Sequence, residues 1–411
     1  MSPFLKMIYL VIFAYLLVLG FLYDVCGYRK HKTFHFVLAL IVLILVSGLR
    51  YRLGSDTAVY MSYYKTYCHD IFHLKLSDFN DLTYGFEPFW VLFNSICKTL
   101  SEDFYLVQLI VSTIHIGVWG YFTKKVCPSL CFLMLVFFFL FEWLRMDSEI
   151  MREAVAMAFF LLAVLSWNNK KYFRIAIYVF IAFLFHKFSL IVFVLLFCYY
   201  LLLSKYNIAG ILAVFLLIGI GFVYENWIYD VIAKIAGIDS SYIERIVYYG
   251  DSEEFGTAHW SWKGILVIFL SITFFLFVLN VTRGIYYEYS NLSPRIFESI
   301  IIVGCMVLSI KVSFPIAFRF YDYCQTFTSL LSILYLMKLK NYKSILRWNM
   351  LVFLVFMFFP IRHFYSNYLK STFAHNPRVK KSIQYYPYNS IFNEEKDHER
   401  ERGIFNYKRL R

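Results

Sequence analysis

The sequence predicts an all-α, polytopic transmembrane helical bundle, and three observations carry that prediction. Of 411 residues, 60% are hydrophobic and 16% charged, and a mean hydropathy of +0.61 lies beyond that of an ordinary soluble domain. Apolar runs long enough to cross about 30 Å of hydrocarbon recur along the whole chain. The net charge of +13 sits largely in short clusters between those runs, which is the pattern of membrane topology and excludes a nucleic-acid surface. One bundle of roughly 12 spans is expected over 1–361, followed by a basic tail over 362–411.

The first run, Pro3 to Tyr23, resembles a signal peptide but has no small-x-small cleavage site before Asp24 and Cys26, so a retained span is expected. Further spans are expected at 33–49, 104–122, 127–143, 149–167, 172–186, 187–203, 207–223, 262–282, 295–312, 319–337 and 344–361. Phe86 to Leu100 is short and carries Glu87, Asn94 and Lys98, so it is read as a helix that does not cross. With it excluded, the basic clusters, among them Arg29/Lys30/Lys32, Lys124/Lys125, Lys170/Lys171/Arg174, Arg283/Arg295 and Lys338/Lys340, fall on one side, the cytoplasm. Both termini and the long loops 50–103 and 224–262 then lie on the other side. The basic tail runs against that arrangement.

Aromatic residues make up 22% of the chain, more than interfacial belts require. The 8 cysteines lie mostly in apolar segments, and Cys127 with Cys131 lacks a second pair for zinc. His69-Asp70-Ile71-Phe72-His73 has helical metal spacing but no further ligand cluster. No metal or other cofactor is expected.

Four constellations carry chemistry. In Gly48 to Tyr64, with Arg50, Arg52 and Gly54, the residues Asp56, Tyr60 and Tyr64 recur every four positions and share a helix face suited to sugar hydroxyls and pyranose stacking, or to headgroup anchoring. Glu142, Arg145, Asp147, Glu149, Arg152 and Glu153 crowd the start of an apolar helix, where an arginine needs a partner or a polar cavity. Glu149 and Arg152 are spaced to pair as neighbours. Alternatively, the fork of Arg152 binds phosphate oxygens. His186, between two apolar runs, is placed to move a proton near neutral pH or to pack at the interface. Arg319 follows the helix breaker Pro315, with Tyr321 and Asp322 close behind, and Asp322 is spaced to pair with it.

These segments resemble the EpsG/Wzy-type family of bacterial exopolysaccharide, capsule and O-antigen polymerases. The resemblance rests on the Gly-x-Arg and Gly-x-Asp pattern of Gly48 to Tyr64 and on Glu87 opening a short helix. It rests also on Met151-Arg152-Glu153-Ala154, on His186-Lys187, on Arg319-Phe320-Tyr321 and on Tyr386-Pro387-Tyr388. It is strongest over about 48–200. Glu153 departs from it, since the family pattern favours glutamine there.

The resemblance implies a bundle of the GT-C-like type, by analogy, in the bacterial cytoplasmic (inner) membrane with a periplasmic site. It implies metal-free, inverting transfer of a glycan from undecaprenyl pyrophosphate onto the sugar end of a second lipid-linked repeat unit. Partners would be the lipid-linked donor and acceptor, membrane lipid and a chain-length regulator. Expected pyrophosphate ligands are Arg152, Arg319, Arg52 and Arg50, and expected bases are His186 and then Asp56. Tyr60, Tyr64, Glu87, Arg145, Glu153, Tyr321 and Asp322 are expected at the substrate. A lipid-linked glycan flippase and a ligase-type transferase are the alternatives; a flippase would carry internal repeats and a charged path across the membrane.

Overall fold

A computed structural model describes residues 3–80, 85–203, 262–311, 317–340 and 346–365, with short pieces at 213–214, 216–217, 384–385, 388–392 and 400. Among the described residues the chain is helical and has no strand beyond one isolated bridge, Arg50 to Ser390. The apolar runs become α1 (Pro3–Leu19), α2 (Lys32–Gly48), α5 (Tyr105–Val126), α6 (Cys131–Phe138), α8 (Met151–Asn168), α9 (Tyr172–Phe185) and α10 (Phe188–Cys198). Later in the chain they become α11 (Trp262–Thr282), α13 (Pro294–Ile310), α14 (Phe318–Lys340) and α15 (Leu346–Phe364). Short helices α3 (Thr57–Thr66), α4 (Pro88–Leu100), α7 (Leu144–Ser148) and α12 (Tyr286–Tyr289) sit between them.

Among the described residues, 3 helices qualify by length and composition to cross a membrane: Met7–Val25, Tyr105–Val126 and Met151–Asn168. Shorter apolar helices occupy Lys32–Gly48, Tyr172–Phe185, Phe188–Leu202, Leu266–Thr282 and Met350–Arg362. The expected span at 207–223, apart from 213–214 and 216–217, and the loop 224–261 lie outside the described residues.

Successive long helices run back and forth, so the bundle has two chemically distinct ends. At one end Lys32 reaches Asp24 at 2.8 Å and the Ser129 carbonyl at 2.9 Å. Lys124 donates to Thr33, Arg295 to the Tyr200 carbonyl and Lys340 to the Val25 carbonyl. This end holds the basic clusters. The opposite end collects the ends of α2, α6 and α9 and the starts of α5, α8, α10 and α14, together with α3, α4 and α7.

Between the ends the core is aromatic and aliphatic. Trp119 stacks on Phe138 with ring centres 4.3 Å apart, and Phe160 meets Tyr323 edge-on at 5.2 Å. Lipid is as apolar as these side chains, so close packing rather than water exclusion holds helices together in a bilayer. Gly48 shows this: a Cβ there would lie 2.9 Å from the Leu109 Cα, so α2 and α5 approach closely at this point because the residue is glycine.

Two widened turns aim carboxylates inward. The π-helical turn Gly20–Val25 ends α1 and turns Asp24 toward α6, where it accepts the free N–H groups of Phe132 at 2.7 Å and Leu133 at 2.8 Å. The second, Phe139–Trp143, carries Glu142 into the core. Such turns recur at functional sites.

The tail returns to the end opposite the basic clusters. Tyr51 N–H donates to the Asn389 carbonyl at 2.8 Å, Gly54 N–H to that of Gln384 at 2.9 Å, and Ile391 N–H to that of Leu49 at 3.0 Å. Tyr388 donates to the Val46 carbonyl and Tyr9 to that of Tyr385, each at 3.0 Å. Residues 384–385 and 388–391 therefore line the segment that leaves α2, beside the N-terminal part of α1.

Candidate functional site

Beyond α2 the chain turns at Gly54, whose φ of +89° is open to glycine and whose missing Cβ leaves room for the Ser148 carbonyl. Thr57 fixes the turn by donating to the carbonyls of Leu53 at 2.7 Å and Ser148 at 2.8 Å. These contacts set α3 against α7 and the start of α8. Tyr60, buried on α3, is thereby brought to Arg152.

Arg152 lies in the first turn of α8, where the helix dipole disfavours a cation. Its compensation comes from Glu87. Pro88, the first residue of α4, holds Glu87 in extended backbone (φ −69°, ψ 150°), and from there its Oε2 pairs with Arg152 Nη1. The guanidinium lies 4.7 Å from the Phe86 ring centre and 5.9 Å from that of Tyr60, and Nε is 3.5 Å from the Tyr60 hydroxyl. Arg152 thus sits against two aromatic rings with its side chain 21% exposed, a posture in which it can present its fork to an anion.

His186 ends α9 in extended backbone, and α10 starts two residues later. Its ring is buried between two carboxylates. Nδ1 is 3.5 Å from Glu87 Oε1, and Nε2 is 3.7 Å from Glu153 Oε2. Burial works against the charge of Glu87, but the His186 imidazole and the Arg152 guanidinium outweigh it and hold the carboxyl down to about 2. The segments 86–87, 152–153 and 186 thus bring two carboxylates, an arginine and a histidine into contact.

A second pair lies beside it. Arg145 of α7 pairs with Asp322 of α14 and stacks over Phe318 at 5.5 Å. Arg319, one turn earlier on α14, and Glu153 are both within electrostatic reach of Asp322. Phe188, whose ring meets that of His186 at 5.5 Å, also touches Phe320 at 5.7 Å. Arg152 and Arg319 therefore enter the same end of the bundle, from α8 and α14.

Several expectations take a different form. On the Asp56, Tyr60 and Tyr64 face both tyrosines are buried rather than open: Tyr60 meets Phe86, Trp90 and Arg152, while Tyr64 points away, donating to the Ser101 carbonyl at 2.7 Å and packing on Phe104. Asp56 stands at the start of α3, its charge felt by Tyr60. Arg50 turns inward, 1% exposed, to the Ser47 carbonyl and to Met151 Sδ at 3.2 Å, with Asp147 close by. Arg52 is partly exposed in the left-handed region, φ 51°. Tyr321 donates along its own helix to Thr328 at 3.2 Å. The neighbour pairs also dissolve: Arg152 takes Glu87 rather than Glu149, which accepts from Ser55 at 3.3 Å, and Asp322 takes Arg145 rather than Arg319. His69 and His73 are engaged with Asp78 at 3.0 Å and Asp70 at 2.7 Å.

Two buried polar links tie members of the Glu142 to Glu153 cluster to residues not singled out in the sequence. His115 of α5 meets Asp147 at 3.0 Å, and Glu142 accepts from Thr326, to which the Trp119 indole donates at 3.3 Å. A signal for His115 was present, since it is a polar residue within an apolar run.

The family model described as the EpsG family matches residues 33–390. The chain belongs to the EpsG family. No curated protein and no solved structure matches the chain. Membership in EpsG points to a polysaccharide-polymerase type of role in a membrane. The EpsG match takes in Glu87, Arg145, Arg152, Glu153, His186 and Asp322, and it reaches the tail segment that lines Leu49 to Gly54.

Proposed function

We propose that this EpsG protein is an inverting, metal-independent polysaccharide polymerase that moves a glycan from undecaprenyl pyrophosphate to the sugar end of another lipid-linked repeat unit. The bundle is embedded in the bacterial cytoplasmic membrane by roughly 12 spans, with its basic end in the cytoplasm by the positive-inside rule. The arginine end is then periplasmic, where lipid-linked repeat units present their glycans. The observation that carries the reading is the convergence of Arg152, Glu87 and His186, three groups from distant segments, at the end of an apolar bundle.

In this reading Arg152 receives the pyrophosphate, exchanging its bond to Glu87 for the phosphate oxygens, and Arg319 adds charge from α14. Tyr60 and Phe86 keep the guanidinium planar and oriented. Arg145, with Asp322, lines the far side of the substrate. The acceptor hydroxyl oxygen attacks the anomeric carbon, the carbon–oxygen bond to pyrophosphate breaks, and its electron pair leaves with the phosphate. Fixed positive charge stabilises that leaving group. The hydroxyl proton passes to His186 Nε2, while Glu87 faces Nδ1 and orients the ring, the arrangement by which a carboxylate sets a histidine tautomer.

The test is Arg152→Lys in the full-length protein, reconstituted with lipid-linked repeat units. Lysine keeps the charge and loses the fork, so polymer is expected to shorten to one or a few repeats. Polymer of full length from that variant would remove the bidentate role. The ligase alternative is separated by deleting the gene: a polymerase mutant accumulates single repeat units, a ligase mutant long lipid-linked polymer.

A further inference from the structure

Among the described residues, Glu153 is a buried charged group without a hydrogen bond to explain it. It is 1% exposed, in the first turn of α8 beside Arg152, and neither of its carboxylate oxygens has a hydrogen-bond partner. The nearest opposing group is His186 Nε2 at 3.7 Å, itself without a hydrogen bond. The buried hydroxyls of Ser189, at the start of α10, and of Tyr323, on α14 and within electrostatic reach of Glu153, are also without partners. Folded proteins pair nearly all buried polar atoms, because an unpaired one forfeits its hydration with nothing in return. A buried carboxylate is the most demanding of these. Its unused acceptors, beside a histidine in a candidate site, point to a ligand that supplies the missing donors.

The charge around it says which ligand. Glu87, Glu153 and Asp322 all face this region, so an anion is favoured at the arginines and disfavoured here. A neutral group rich in O–H donors fits. The separation of 3.7 Å between His186 Nε2 and Glu153 Oε2 suits two adjacent hydroxyls of one sugar ring, each donating to one of the two acceptors.

We propose that Glu153 is the acceptor-sugar ligand: it accepts a hydrogen bond from the hydroxyl adjacent to the one that His186 deprotonates. The inference rests on the polymerase reading and assigns its acceptor half. The bonds made and broken are those already given. Glu153 takes no proton in the step; it fixes the ring so that the attacking oxygen faces the anomeric carbon. Glutamine, which the family pattern favours here, still offers one acceptor oxygen but without charge, so this chain grips its acceptor through a charge-assisted bond.

The experiment uses the full-length protein in lipid nanodiscs, with undecaprenyl pyrophosphate as the binding probe and lipid-linked repeat units purified from the producing cell as substrate. Glu153→Gln and Glu153→Ala are expected to bind undecaprenyl pyrophosphate as the native protein does, within about twofold. Transfer should fall by about 10-fold in Gln and about 100-fold in Ala, the range for losing a hydrogen bond to a charged group. Transfer within threefold of native in both variants would overturn the assignment, as would loss of probe binding in the isosteric Gln variant, which would make Glu153 part of the phosphate site. Failure of the native protein to bind the probe would instead count against the polymerase reading itself.

Discussion

Asp24 at one end of the bundle and Glu87 at the other are both buried carboxylates that meet a cation, and they are finished differently. Asp24 has its oxygens filled by two backbone N–H groups of α6 and by Lys32, whose side chain is 22% exposed. It closes a helix terminus. Glu87 is shared between an arginine and a histidine, and around it Glu153, His186 and Asp322 keep polar atoms without partners. A satisfied network fixes a structure, whereas an unsatisfied one persists where a ligand completes it. In the proposed function Asp24 serves architecture and the Glu87 cluster serves chemistry, so substitutions at the two should separate stability from turnover.

The largest effect is expected at His186. His186→Ala should lower turnover about 100- to 10,000-fold, the span for removing a general base, with the protein still folded in detergent. A loss under tenfold in the reconstituted assay would take the base assignment away and blur the contrast between the ends.

Glu87→Gln should lower both stability and turnover, because it strands Arg152 in a half-buried site. The carboxyl ionises more readily in the folded protein than in the unfolded chain, with about 2 against an ordinary 4.5. Its contribution is therefore complete above pH 4.5 and is lost as pH falls toward 2. At roughly 1.4 kcal/mol per pKa unit that amounts to about 3 kcal/mol. Thermal unfolding of native and Gln protein, followed from pH 7 down to 2.5, should show the two curves converging at the acid end; a constant gap would contradict the linkage.

Asp24→Ala should remove about 1–2 kcal/mol of stability, as the loss of a helix cap does, and leave the turnover of folded molecules unchanged. Reduced turnover at native melting temperature would show that the basic end also serves the reaction. The smallest effect is expected from Tyr388→Phe, which deletes one bond between tail and α2, about 1 kcal/mol, and which a melting curve resolves.

The helices were legible because hydropathy needs only local information: over the described residues, the expected runs outside 207–223 coincide with helices, including the short α4 that opens after Glu87. The partners of the arginines were not. Spacing along the sequence offered Glu149 to Arg152 and Arg319 to Asp322, whereas the packing of α4 and α7 delivered Glu87 and Arg145, 65 and 177 positions away (322 − 145 for the latter). No periodicity encodes such a choice. Tyr60 and Tyr64 show the same limit, since a shared helix face does not reveal that one side chain meets an arginine and the other a backbone carbonyl. Neither the tail's basic composition nor its Tyr386-Pro387-Tyr388 resemblance shows where it docks: Tyr388 binds α2 through its hydroxyl, but Gln384, Tyr385 and Asn389 hold their partners through backbone carbonyls, which have no signature in side-chain pattern.

The most direct test of the account is equilibrium binding of undecaprenyl pyrophosphate to the full-length protein in nanodiscs, compared among the native protein, Lys32→Ala at the basic end and Arg152→Ala at the other. The account predicts equal affinity for native and Lys32→Ala, and affinity at least tenfold weaker for Arg152→Ala. Undiminished binding by Arg152→Ala, or a loss centred on Lys32→Ala, would contradict it.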